Sequence, residues 1–203
     1  MKKVFRTIAY MNLILMGYIS QLYASSFMIP QIKVSFQKSN PQYYSKPAKS
    51  IQNLCSTSNY IPVGCTYYLM SYHYDYKYVF DNKGFAQVSS IDMKFYYKEN
   101  DFYVYIDDRY SKNSCEYNAI KKHEDLHVQI DQTVEINKVE TALKECLYLI
   151  NQKNMLQSTL EPNVKKCVQQ AFDLDEEIRK NKNNELDADK TRQVNLKLNC
   201  PSS

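Results

Sequence analysis

His123-Glu124-Asp125-Leu126-His127 lies inside the run Ser114 to Val134, SCEYNAIKKHEDLHVQIDQTV, which reads as helix and marks where an extended first half gives way to a helical second half. Histidines at i and i+4 stand one above the other on a helix, so His123 and His127 can offer two imidazole nitrogens to a single tetrahedral Zn²⁺. Glu124 then projects beside the metal, where a carboxylate can take a proton from a water that the ion has acidified. That is metallopeptidase chemistry. The competing reading is a solvated helix face with His, Glu and Asp set between lysines. Against it, the chain has three histidines in all and two of them fall at this spacing. Ile130 and Val134 continue the same helical phase, which turns the histidine stripe inward.

Working back from the motif, residues 25–112 alternate. Thr66 to Met70, Tyr76 to Phe80, Phe85 to Tyr97 and Phe102 to Ile106 are rich in tyrosine, phenylalanine and β-branched residues with polar residues between them, which predicts strands. Asp81-Asn82-Lys83-Gly84 and Lys98-Glu99-Asn100-Asp101 supply turn residues. A small antiparallel sheet is the expected result. Its tyrosines suit a sheet with one wet face, and a peptide- or glycan-binding surface is the alternative use for them.

Forward of the motif, residues 113–203 keep a helical period. Ser114 is the expected N-cap of a first arm running past Cys146 to about Asn154, and a break at residues 157–162 puts Pro162 in a new first turn. A second arm from about Asn163 toward Val194 completes an antiparallel helical hairpin. The six cysteines fit it: Cys146 with Cys167 and Cys115 with Cys200 share one register across the hairpin, which leaves Cys55 and Cys65 to close a local loop. The fold class expected is α+β, an N-terminal sheet followed by a disulfide-tied hairpin. The same register sets His127 opposite residue 187 and His123 opposite residue 191, beside the acidic stretch Glu185-Leu186-Asp187-Ala188-Asp189. Projecting the apolar face forward from Ile178 at about 100° per residue turns Glu185 and Asp189 inward and Asp187 outward. Glu185 is therefore the expected third ligand, with Asp189 holding a histidine's second nitrogen. Asp189, Asp187 and His73 remain the alternatives for the third ligand.

Residues 1–24 have a basic start, an apolar stretch from Ile8 to Ile19 and a small residue, Ala24, before Ser25, which reads as a secretory signal peptide. The apolar stretch falls short of the ~20 residues that cross a bilayer, so no stable membrane span is expected after cleavage. The first cysteine, Cys55, is too distant for lipoprotein attachment. This segment carries three basic residues and no acidic ones, so its removal lowers the formal net charge from +4 to +1 and leaves no electrostatic case for nucleic acid. Six cysteines beyond the cleavage point fit an oxidising compartment, periplasmic or extracellular. One domain over 25–203 is the expectation from length, and a hydrophobic fraction of 44% provides an ordinary core.

H-E-x-x-H on a helix after a sheet, with an acidic residue on a later helix, resembles the zincin metallopeptidases. Asn184-Glu185 followed by Asp189 is similar to their glutamate-ligand branch, although the gap from His127 to Glu185 is longer than in thermolysin-like members. The metzincin pattern is absent, since Ile130 stands where its glycine would be and Thr133 where its third histidine would be. Tyr105-Ile106-Asp107-Asp108-Arg109-Tyr110, leading into Ser114-Cys115-Glu116-Tyr117 and the motif, resembles uncharacterised exported bacterial proteins predicted to be zinc-dependent proteases. The resemblance implies hydrolysis of peptide or protein substrates, with His123, His127 and Glu185 on Zn²⁺ and Glu124 as general base. It further implies that a strand before the motif helix, such as Phe102 to Ile106, pairs with an extended substrate. A second transition-state stabiliser stays open among Tyr110, Arg109 and His73. The rival expectation is a non-catalytic exported or cell-envelope binding protein whose motif is vestigial.

Overall fold

The computed structural model describes residues 28–55, 62–188 and 200, and the expected signal peptide lies outside them. In chain order the elements are β1 (Gln31–Gln37), β2 (Gln42–Lys46), α1 (Ala48–Leu54), β3 (Gly64–Phe80), β4 (Ala86–Asp107), α2 (Cys115–Asp131), α3 (Ile136–Asn151) and α4 (Gln157–Ala188). The architecture is α+β. Among the described residues, no helix is long and apolar enough to cross a membrane.

Four expected strands merge into one long hairpin. β3 and β4 run antiparallel from Phe80↔Ala86 to Gly64↔Ile106. Their turn is the Asp81–Gly84 turn expected from sequence: Asp81 Oδ1 accepts from the backbone N–H groups of Lys83 and Phe85 at 2.8 and 2.9 Å. Gly84 sits at φ 82°, a left-handed conformation that favours glycine. Lys98–Asp101 does not turn the chain. Tyr68 pairs with Phe102 and Met70 with Tyr97, so that polar stretch bulges out of β4 opposite Leu69.

The sheet is mixed, which corrects the all-antiparallel expectation. β1 pairs parallel with Ser90–Tyr96 of β4, and β2 pairs parallel with Tyr103–Asp107, both along the edge that β3 leaves open. Alternation reports which face a residue takes and is blind to strand direction, so parallel partners from a distant segment leave no mark in it.

One face of this sheet makes the core. Ala86, Val88, Ile91, Met93 and Phe95 of β4 are buried against Val139, Leu143 and Leu147 of α3 and Leu160, Val164 and Val168 of α4. Farther along β4, Tyr97, Phe102, Val104 and Ile106 are buried with Tyr117, Ile120 and Val128 of α2. The even-numbered tyrosines of β3 lie partly buried on the same face; Tyr72 donates to Gln169 Oε1 at 2.7 Å and its ring is 4.9 Å from that of Phe172.

Ser114 caps α2 as expected, its hydroxyl accepting from Tyr117 N–H at 3.1 Å. The first arm is two helices, however, because the chain breaks between Asp131 and Ile136. The β-branched pair Thr133-Val134 favours helix weakly, and Asp175 Oδ1 accepts the Glu135 N–H at 3.3 Å. The second arm, α4, starts earlier than expected and carries Pro162 within it. Cys55–Cys65, Cys115–Cys200 and Cys146–Cys167 are disulfide-bonded, the pairing the register predicts.

Where α4 passes the break, its inward positions are charged. Arg179 is wholly buried, with Nε 2.9 Å from Asp175 Oδ2, Nη2 donating to Glu176 at 2.7 Å and the guanidinium 5.1 Å above the Tyr68 ring. Burial raises the Asp175 carboxyl above its ordinary range against the pull of Arg179. Removing one partner of such a pair leaves a buried charge alone, so Arg179→Ala is expected to lower unfolding free energy by about 3–5 kcal/mol. Urea unfolding checks this; an unchanged midpoint would contradict it.

Candidate metal centre

α2 crosses the end of β3 closely. A Cβ built on Gly64 would stand 2.7 Å from Glu124 Oε1 and 2.7 Å from Ile120 Cγ2, so any larger residue here would push those two side chains aside. Glu124 is 5% exposed and faces β3, where Thr66 Oγ1 donates to its Oε2 at 3.0 Å. Burial raises the Glu124 carboxyl above its ordinary range, with His127 and the Thr66 hydroxyl opposing. Asp125 points elsewhere: it accepts from Tyr43 at 2.5 Å and from Lys121 at 2.7 Å, which ties α2 to β2.

His123 and His127 occupy the same face one turn apart, with Nε2 atoms 3.2 Å from each other. From α4, Asp187 Oδ1 approaches them at 3.4 and 3.0 Å respectively. Three atoms that could hold a metal ion therefore converge. A tetrahedral ion with bonds of about 2.0–2.1 Å keeps its ligand atoms about 3.3 Å apart, and the triangle matches that spacing. Behind the cluster, His127 Nδ1 lies 2.9 Å from Asn183 Oδ1, and Asn183 Nδ2 donates to Asp131 Oδ1 at 2.8 Å.

The electrostatics favour an ionised carboxylate beside a cation. Burial opposes charge on His127, but hydrogen bonds to Asp187 and Asn183 and the neighbouring Glu124 outweigh it and push the ring up to about 9. Burial likewise opposes the Asp187 carboxylate, yet its bonds to His123 and His127 hold the group well below its usual range. A proton on His127 Nε2 and a metal ion would compete for one lone pair. Comparison with family models, with curated proteins and with solved structures finds no match.

The geometry brings Asp187, and not the expected Glu185, up to the two histidines. Glu185 is exposed and Asp187 takes its place in the cluster, while Asp189 lies outside the described residues. Ile178, the residue used to set the helical phase, is only half-buried; Asp175 and Arg179 hold the inward line, and steps of four from them reach Asn183 and Asp187. His73 is exposed on the other face of β3 from Thr66, 3.3 Å from Asp75, away from the cluster. Arg109 is engaged by Asp107 through Nε at 2.8 Å, and Tyr110 packs against the second core cluster. Phe102 to Ile106 has β3 on one side and β2 on the other, so it offers no edge to a substrate. Thr66, Gly64, Asn183 and Asp131 were not singled out by the sequence reading. The i+4 ladders His123-His127-Asp131 and Asp175-Arg179-Asn183-Asp187 are the signal that points to the last two.

Proposed function

We propose that this chain is a zinc-dependent peptidase, and the observation that carries the reading is the convergence of His123 Nε2, His127 Nε2 and Asp187 Oδ1 on one point with Glu124 on the same helix. Three protein ligands leave a fourth position for water or substrate, the arrangement of catalytic rather than structural zinc. The ion, when bound, supplies Lewis acidity and an acidified water. Glu124 would be the proton acceptor for such a water, and burial, which raises its carboxyl above the ordinary range, would make it the stronger base. Thr66 holds the carboxylate against β3. An extended substrate pairs with β3, whose second edge no described strand takes, in place of Phe102 to Ile106. Three disulfides support export to an oxidising compartment.

The test is cleavage of a mixed peptide library by purified protein. Cleavage is expected, with loss on chelation and return on adding zinc. Activity indifferent to chelation would contradict the proposal. A second reading, a metal-holding but non-catalytic envelope protein, draws on the near-complete burial of Glu124 beneath Gly64. Zinc uptake with no cleavage of any library member would favour it.

A further inference from the structure

We infer that Asn183 and Asp131 form a relay that presets His127 as a metal ligand, a role for two residues outside the H-E-x-x-H motif; the inference rests on the zinc reading of the His123, His127 and Asp187 cluster. An imidazole binds a metal through a nitrogen that carries no proton, and which nitrogen that is depends on the hydrogen bond made by the other. His127 Nδ1 meets the carboxamide oxygen of Asn183 at 2.9 Å. An oxygen there accepts, so Nδ1 keeps its proton and Nε2 is left to point at His123 and Asp187.

A carboxamide can turn either way, and the turned form would present NH₂ to His127 and demand the opposite tautomer. Asp131 decides between the two. Its Oδ1 takes the Asn183 Nδ2–H at 2.8 Å, and an ionised carboxylate only accepts, so the amide oxygen is committed to His127. Asp131 is in turn fixed from the sheet: it is 1% exposed, and the Tyr97 hydroxyl donates to its backbone oxygen at 2.5 Å. Burying a carboxylate is costly, and burial raises the Asp131 carboxyl to about 6, with the bond to Asn183 and the charge of Arg179 opposing. Asp131 and Asn183 face each other one turn beyond His127 and Asp187, so the same packing of α2 on α4 aligns both rungs.

The experiment compares wild type, Asn183→Leu and Asp131→Asn, with Asn184→Leu as an exposed control. Ring-nitrogen NMR of metal-free protein reads the His127 Nδ1–H, and competition with a chromophoric chelator reads zinc affinity. Wild type is expected to show a slowly exchanging Nδ1–H that Asn183→Leu loses, with zinc Kd rising about 10–100-fold. Asp131→Asn, which keeps the side-chain volume and leaves Asn183 in place, is expected to weaken zinc as well. Asn184→Leu should match wild type. An Asn183→Leu protein that keeps the Nδ1–H or wild-type zinc affinity overturns the relay and leaves the zinc site standing. Wild-type protein that takes up no zinc overturns the site, and the relay with it.

Discussion

Glu124→Gln is expected to keep zinc content and thermal melting near wild type while peptide hydrolysis falls by about 10²-fold or more, since general-base catalysis contributes typically 10²–10⁴-fold. The substitution conserves shape where shape matters. The Glu124 carboxylate is wedged against Gly64 and accepts from Thr66 at 3.0 Å, and an amide oxygen can accept that bond in its place. What the amide lacks is the capacity to hold the transferred proton. Side-by-side measurement of zinc content, melting temperature and library cleavage separates chemistry from folding. A variant that cleaves at the wild-type rate would show that Glu124 is not the base.

Asp187→Ala carries the other large effect. Two imidazoles alone bind zinc far less tightly than two imidazoles with a carboxylate, so zinc affinity is expected to fall by at least about the 10–100-fold known for supporting residues, and hydrolysis with it. Asp187 is half-exposed, and its removal leaves no cavity in the core. Glu185→Ala is the matched control, two positions away on the exposed side of α4. It should leave zinc affinity unchanged. The reverse pattern, loss with Glu185→Ala and retention with Asp187→Ala, would restore the ligand expected from helical phase and refute the one expected from geometry.

These two residues also show how far the sequence could be read. The i, i+4 histidines, the Ser114 cap, the Asp81–Gly84 turn and the disulfide register are local or pairwise patterns, and each is in place. The register even named residue 187 as the neighbour of His127. The projection to Glu185 departs from the geometry because it assumes that an apolar residue marks the inward face. In α4 the inward face near the break belongs to Asp175 and Arg179, a buried charged pair, and the apolar Ile178 rides at the flank. Hydrophobic periodicity fails where a core is polar. Strand direction was illegible for a different reason: β1 and β2 meet β4 through contacts some sixty residues away in sequence, and nothing in an alternating pattern records a partner's polarity. Lys98–Asp101 has the composition of a turn and forms a bulge, because the pairing on both sides holds β4 to its course.

The central claim is that His123, His127 and Asp187 hold one metal ion, and zinc titration of purified, metal-stripped protein measures it directly. One zinc per chain, with uptake lost in His127→Ala, is the result expected from three convergent ligand atoms on packed helices. Folded wild-type protein that takes up no zinc, or that takes it up equally well without His127, would contradict the account.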